Sequence, residues 1–122
     1  MAANPSLLIQ TYDGIILAEV LAERVLDAPV INAIGADLLA QMDRHARPSL
    51  VLDIGKVGYI SSAMIGKLVA VSKRITAHRG RMAICGAKPT LMPIFKMVQL
   101  DKLVPFHPEA EKILLEWRRK PL

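Results

Sequence analysis

The sequence predicts an α/β fold: a mixed, mostly parallel sheet with helices packed on it. Short apolar runs alternate with stretches in which apolar residues recur every three or four positions. The first two runs flank Asp13-Gly14, a pair that favours a tight hairpin turn. Two later runs, Ser49–Ile54 and Arg81–Ala87, are apolar nearly throughout, as strands covered on both faces are. The order read from this alternation is β-β-α-β-α-β-α-β-α. An N-terminal hairpin comes first, and right-handed crossovers make the later strands mostly parallel. With 122 residues the chain is expected to form one domain, residues 1–122, with an ordered core of about 6–118.

Ser6–Tyr12 is short and β-prone, and Ile15–Val20 is its partner across the turn. Glu23–Pro29 reads as a connecting loop. Val30–Arg44 follows with Ile31, Ile34, Leu38, Leu39 and Met42 on one helical face; Gly35 weakens that helix slightly, and His45-Ala46-Arg47-Pro48 ends it. Ser49–Ile54 is a central strand, and Gly55–Ile60 a turn. From Ala63 to about Arg79, Met64, Ile65, Leu68, Val69 and Ile75 form the stripe of an amphipathic helix stopped by Gly80. Arg81–Ala87 is the next buried strand. Pro89–Met97 reads as a helix with Pro89 in its first turn, and Leu103–Phe106 as a short edge strand or turn. His107-Pro108-Glu109 opens a last helix to about Arg119, with Ile113, Leu114 and Trp117 on its apolar side.

Composition narrows the classes. The single cysteine, Cys85, excludes an internal disulfide framework and fits a reducing compartment. No apolar run approaches the ~20 residues of a membrane span, and residues 1–5 do not read as a signal peptide, so a soluble cytoplasmic protein is expected. The net charge of +5 is unevenly spread. Up to Ser61 there are seven acidic and four basic residues; from Ser62 onward there are four acidic and twelve basic. A basic half suits nucleic acid, anionic lipid or an acidic protein. The five aromatics are too scattered for an RNA-stacking platform.

The most informative place is Gly58-Tyr59-Ile60-Ser61-Ser62-Ala63-Met64-Ile65-Gly66-Lys67-Leu68, where a loop becomes a helix. Either serine can cap that helix, its oxygen accepting an N–H bond from the first turn. The functional reading is a hydroxyl that accepts a phosphoryl group. A phosphoserine there would face free N–H groups and add roughly two negative charges.

Here the chain resembles the STAS domain, the fold of bacterial anti-sigma factor antagonists. The family pattern has a strand ending in Asp, a short turn, an aromatic-Ile/Leu-(Asp/Ser)-Ser-(Ser/Ala)-Gly-Leu motif, a helix, and Gly-Gly before the next strand. A Leu-Asp-Lys-Leu segment and a last helix follow. The chain supplies Asp53, Tyr59-Ile60-Ser61-Ser62-Ala63, Gly66, Gly80, Leu100-Asp101-Lys102-Leu103 and Glu109–Leu115, and the resemblance covers nearly its whole length. It implies a single STAS-like domain acting as a binding switch rather than an enzyme.

The implied partner is an anti-sigma factor that is also an ATP-binding serine protein kinase. Ser62 matches the phosphorylated serine; the unphosphorylated form binds, and phosphorylation releases. The implied contact surface is Asp27, Ser61, Ser62, Ala63, Met64, Ile65, Gly66 and Lys67. ATP belongs to the partner, so no cofactor and no metal are expected of this chain. No direct nucleic-acid partner and no membrane span are expected, and a homodimer is allowed. Ser61 stands where the family often has Asp, and Met64 where glycine usually follows, which places bulk at the turn expected to face the partner.

Other readings attach to the same residues. The domain can be an unphosphorylated scaffold in a signalling assembly or an accessory subunit of lipid transport, with Ser62 a cap only. A hydrolase using Ser62 as nucleophile lacks an assignable histidine base, since His78 lies at the far end of the helix. His45, His78 and His107 have no metal-ligand spacing, and Gly86-Ala87-Lys88-Pro89-Thr90 lacks the first glycine of a phosphate loop. Asp53 has no obvious mate, and Cys85 reads as a small buried hydrophobe. Met42, Met64, Met82, Met92 and Met97 are expected on core faces, with a docking face around Met64, Met92 and Met97 as the sharper alternative. Trp117-Arg118-Arg119-Lys120 reads as a solvated helix end. Lys67, Lys73 and Arg74 make the helix after Ser62 cationic.

Overall fold

The structure, a computed structural model, describes residues 5–122. The chain opens with β1 (Leu7–Tyr12) and β2 (Ile15–Val20), paired antiparallel with Tyr12 opposite Ile15. Asp13 and Gly14 both take positive φ, 50° and 80°, as a two-residue hairpin turn with the right twist demands. After β3 (Arg24–Val25) come α1 (Ala28–Asp43), β4 (Ser49–Asp53), β5 (Tyr59–Ile60), α2 (Ser62–Ala77) and β6 (Arg81–Cys85). The chain closes with α3 (Met92–Met97), α4 (Leu100–Leu103), β7 (Phe106–His107) and α5 (Ala110–Arg119).

The main sheet has the order β1-β2-β4-β6-β7, and every pair after the hairpin is parallel. Register sorts the side chains by face. Leu7, Ile16, Ala18, Val20, Leu50, Leu52, Met82 and Ile84 join the large apolar core with Ile34, Leu38, Met42, Leu68, Val71 and Ile75 from α1 and α2 and Phe95 from α3. On the other face Ile15, Val51, Ala83 and Cys85 meet Ile113 and Trp117 of α5, with Leu17, Ala110 and Leu114 at the margin. The alternation that reads as a two-sided strand in Leu50-Val51-Leu52 therefore feeds both layers.

Several elements differ from the sequence reading. The loop expected over 23–29 contains β3, and the turn expected over 55–60 contains β5; the two pair as a small second sheet. Two-residue strands carry no periodicity, so only their tertiary pairing defines them. α1 begins at Ala28 with Pro29 in its first turn, and α2 begins at Ser62. α3 begins at Met92 rather than Pro89, which puts Pro93 in the first turn where a missing N–H costs nothing. The edge strand or turn expected over 103–106 appears as the edge strand β7, shifted to Phe106–His107, with the helical α4 before it: Gln99 at φ 61° ends α3, and Leu100 turns into the core. After α2 the left-handed residue is Arg79, φ 56°, not Gly80. Gly80 is needed for space, since a Cβ there would lie 2.0 Å from the Pro48 carbonyl oxygen.

Trp117 is not a solvated end residue; it is buried beneath Arg81, whose guanidinium carbon sits 4.5 Å from the ring centroid. Met97 is 81% exposed, while Met42, Met64 and Met82 are core residues and Met92 is half-buried. With Met64 buried, the three methionines Met64, Met92 and Met97 do not form one exposed face.

Candidate functional site

The parallel strands β3 and β5 run side by side into α1 and α2. Glu23 O accepts from the backbone N–H groups of Gly58 and Tyr59 at 2.8 and 3.1 Å, and Val25 O accepts from Ser61 N–H at 3.1 Å. Two residues beyond Val25 stands Asp27, the residue before α1; one residue beyond Ser61 stands Ser62, the first of α2. The small sheet thus brings the two helix starts to one end of the molecule.

The two serines divide the work. Ser61 is the N-cap, with φ −91° and ψ 161°, and its Oγ accepts from Met64 N–H at 3.3 Å. Its carbonyl accepts from Ile65 N–H at 3.2 Å. Ser62 is exposed, and no side-chain hydrogen bond holds its hydroxyl among the described residues. Ala63 and Gly66 are exposed beside it, and a Cβ on Gly66 would meet open space. Met64 and Ile65 lie in the core at 2% and 7% exposure, so the bulk at Met64 points inward, under the helix start, rather than outward at the turn. The amphipathic period explains this: Met64, Leu68, Val71 and Ile75 share the buried stripe of α2.

The electrostatics are more local than the charge count implied. Arg74, a cation of the expected basic helix, is bound to Asp43 of α1, with Nη1 2.7 and 3.0 Å from the two carboxylate oxygens. The Arg74 hydrogen bond holds the Asp43 carboxyl below its ordinary range; desolvation opposes this, and the Arg74 and His78 charges add to the lowering. Lys67 is half-buried, its aliphatic stem lying where a Cβ on Gly35 of α1 would come within 2.9 Å. Around Ser62 the charged side chains that remain exposed include Asp27 and Arg24.

Arg24 is a residue that sequence reasoning missed. Its guanidinium carbon lies 4.4 Å from the centroid of Tyr59, directly opposite on the small sheet. Tyr59 was visible as the aromatic of the serine motif, but nothing in a loop-like Glu23–Pro29 pointed to its cation. Asp53, without a mate in the sequence, accepts from Gly55 N–H at 2.9 Å and shapes the turn out of β4; Lys88 donates to the Gly55 carbonyl from the facing loop. Neither touches the serines. Cys85 is buried, and burial first, then the Asp53 charge, pushes its thiol up to about 11. Among the described residues no three His, Cys, Asp or Glu side chains are grouped to hold a metal ion, and no helix is long and apolar enough to cross a membrane.

Known proteins share this fold. The family model described as the STAS domain matches residues 6–113. A Bordetella bronchiseptica protein that carries the name anti-sigma factor antagonist BtrV is 30% identical over 91 residues, 75% of this chain and 76% of its own length. Among solved structures, a STAS domain protein from Planctomyces limnophilus, named for an anti-sigma factor antagonist, has a TM-score of 0.82 at 20% identity. That match covers 90% of this chain and 96% of the other. The anti-sigma factor antagonist SpoIIAA in its unphosphorylated form has a TM-score of 0.78 at 14% identity, covering 93% and 96% of the two chains. Bacillus SpoIIAA in the phosphorylated form has a TM-score of 0.69 at 16% identity, covering 88% and 96%. At these identities the structures speak to the fold.

Proposed function

This chain belongs to the STAS domain family, and from that premise we propose that it is an anti-sigma factor antagonist switched by phosphorylation of Ser62. The unphosphorylated domain binds an anti-sigma factor that is itself an ATP-binding serine kinase. The kinase passes the γ-phosphoryl group of its ATP to Ser62 Oγ. The bond to the β-phosphate breaks, the hydroxyl proton leaves to a base of the kinase, and ADP departs. The phosphorylated domain is then released.

One observation carries this reading: Ser61 caps α2 and Ser62 does not, so the Ser62 hydroxyl is exposed and free of a structural role. A phosphate at the first helical position meets the positive pole of α2, so the modification is compatible with an intact helix. It acts on the surface instead, adding roughly two negative charges at the end of the small sheet where Asp27 already stands. A partner that closes over Ser62, Ala63 and Gly66 would have to desolvate that dianion. The relatives named for this activity, and the phosphorylated form of SpoIIAA, support the same reading. No catalytic group on this chain is required.

The test combines the protein with its cognate ATP-binding kinase and ATP, maps phosphate by mass spectrometry, and measures kinase binding for Ser62→Ala and Ser62→Asp. Phosphate is expected on Ser62. Ser62→Ala should bind like the parent, and Ser62→Asp at least about ten-fold more weakly, as a buried unpaired charge at an interface requires. Equal binding by the two variants would sink the switch. Binding without any phosphate on Ser62 would leave a scaffold.

A further inference from the structure

We propose that α5 carries a self-complementary face and that two copies of this chain pair through it, α5 against α5 and antiparallel. α5 lies on its sheet through Ile113 and Trp117. At 100° per residue, Glu111, Leu114, Leu115 and Arg118 form one stripe around the side and top of the helix. They form an open, shallow patch on the helix surface. Leu115 is 55% exposed, and Leu114 is only half-buried. The opposite flank of α5 is charged throughout, with Lys112, Glu116 and Arg119 all exposed.

The stripe faces the uncovered part of the sheet. Arg118 Nε reaches Asp13 Oδ2 in the β1–β2 turn at 2.7 Å, which fixes that side of α5 toward β1. On the same sheet face, register places Leu8 and Tyr12 of β1 beside Glu19 and Ile15 of β2. Leu8 and Tyr12 are 44% and 45% exposed because α5 stops short of β1. α5 therefore leaves β1 uncovered, and beside it remains a trough in which Leu8 and Tyr12 flank the exposed Gln10.

Charge identifies the occupant. A two-fold interface must complement itself, so each residue meets its counterpart across the axis. With the axis between Leu114 and Leu115, Glu111 falls opposite Arg118 of the second copy, and Leu114 opposite Leu115. Arg118 gives its Nε to Asp13 of its own chain, so its Nη groups are what would meet Glu111 of the second copy, and the centre of the stripe is apolar. Each α5 also approaches the bare β1 of the other copy. Ser62 lies at the start of α2, whose buried side chains join the core on the other face of the sheet, so the dimer keeps both serines outward. The inference is independent of the switch: either can fail alone.

Sedimentation equilibrium on the full chain tests it. The parent should show a monomer–dimer equilibrium. Leu115→Glu should weaken it about 30-fold or more, as expected for a central apolar contact. Glu111→Arg and Arg118→Glu should each weaken self-association about ten-fold, and an equimolar mixture of the two should associate more tightly than either alone, because both intermolecular ion pairs re-form in the mixed dimer even though Arg118→Glu loses its own bond to Asp13. Arg119→Glu, on the charged flank, should dimerise like the parent and guards against a general effect of charge. The proposal is overturned by a parent that stays monomeric up to ~1 mM, by a Leu115→Glu variant that dimerises normally, or by a mixture no stronger than its components. A monomeric parent whose kinase binding is lost in Leu115→Glu would assign the stripe to the kinase instead.

Discussion

On one face of the main sheet, α1 and α2 cover Ile16, Leu50, Leu52 and Ile84 with a wide apolar layer; on the other, α5 alone covers Ile15, Val51 and Ala83 with Ile113 and Trp117. The narrow side is supplemented by polar bonds. Arg81 Nε donates to the buried Ser49 Oγ at 3.0 Å, Nη1 to the Lys120 carbonyl at 2.7 Å and Nη2 to the Trp117 carbonyl at 3.2 Å. One guanidinium thus ties the C-terminal turn of α5 to β4 and β6 while stacking on Trp117, and it satisfies carbonyls that a helix end leaves free. The contrast teaches how the two helical layers are held: two long helices by area, one short helix by a directed clasp and less area. The face with spare apolar surface is the one proposed to meet a second copy.

The largest effect should come from the wide layer. Phe95 is fully buried and meets Phe106 in a tilted pair at 5.3 Å centroid separation, so Phe95→Ala should cost about 3–5 kcal/mol in urea unfolding. Arg81→Ala should cost less, about 2 kcal/mol, but should act selectively. Hydrogen exchange should rise in α5 before it rises in α1 or α2. Uniform exchange across all three helices would erase the distinction between area and clasp.

Ser61→Ala removes the cap of α2 and should cost about 1 kcal/mol, while Ser62→Ala should leave stability nearly unchanged. Equal losses would mean that the two hydroxyls do not divide their roles.

The last effect shows only at high pH, as a slope on the α5 face, and is absent at neutral pH. The Cys85 thiol, ordinarily near 9.0, is raised to about 11, so the folded state holds this proton more tightly than the unfolded chain. Its stabilising contribution is fully present below the unfolded thiol range. It is lost as pH rises from about 9 through about 11. The difference in urea midpoint between parent and Cys85→Ala should change across that window and stay flat from pH 6 to 8.

Much of this was legible in the residues. Asp13-Gly14 announced the hairpin because few residues accept two positive φ values in succession. Met64, Ile65, Leu68 and Ile75 announced α2 because burial on one side imposes the helical period; Val71, in the same core, was not read, and Val69 is only partly buried. The serine pair was visible as a helix start, though which hydroxyl caps could not be read from two adjacent serines. α4 was missed because a four-residue helix is shorter than the period that would reveal it. The burial of Met64 followed from its place on the apolar stripe; what failed was reading the same residue, as a motif position, as bulk at the turn facing the partner.

By itself the sequence determined the local choices: where the chain turns, which stretches are helical or extended, and which faces are apolar. Those depend on backbone sterics and on side-chain spacing along one segment. Only the tertiary structure decided that Arg24 meets Tyr59, that Arg81 clasps α5, that Arg74 spends its charge on Asp43, and that Leu8 and Tyr12 of β1 are left exposed. Each of these joins residues distant in the chain, where the partner is chosen by how whole elements pack and not by anything either residue carries locally.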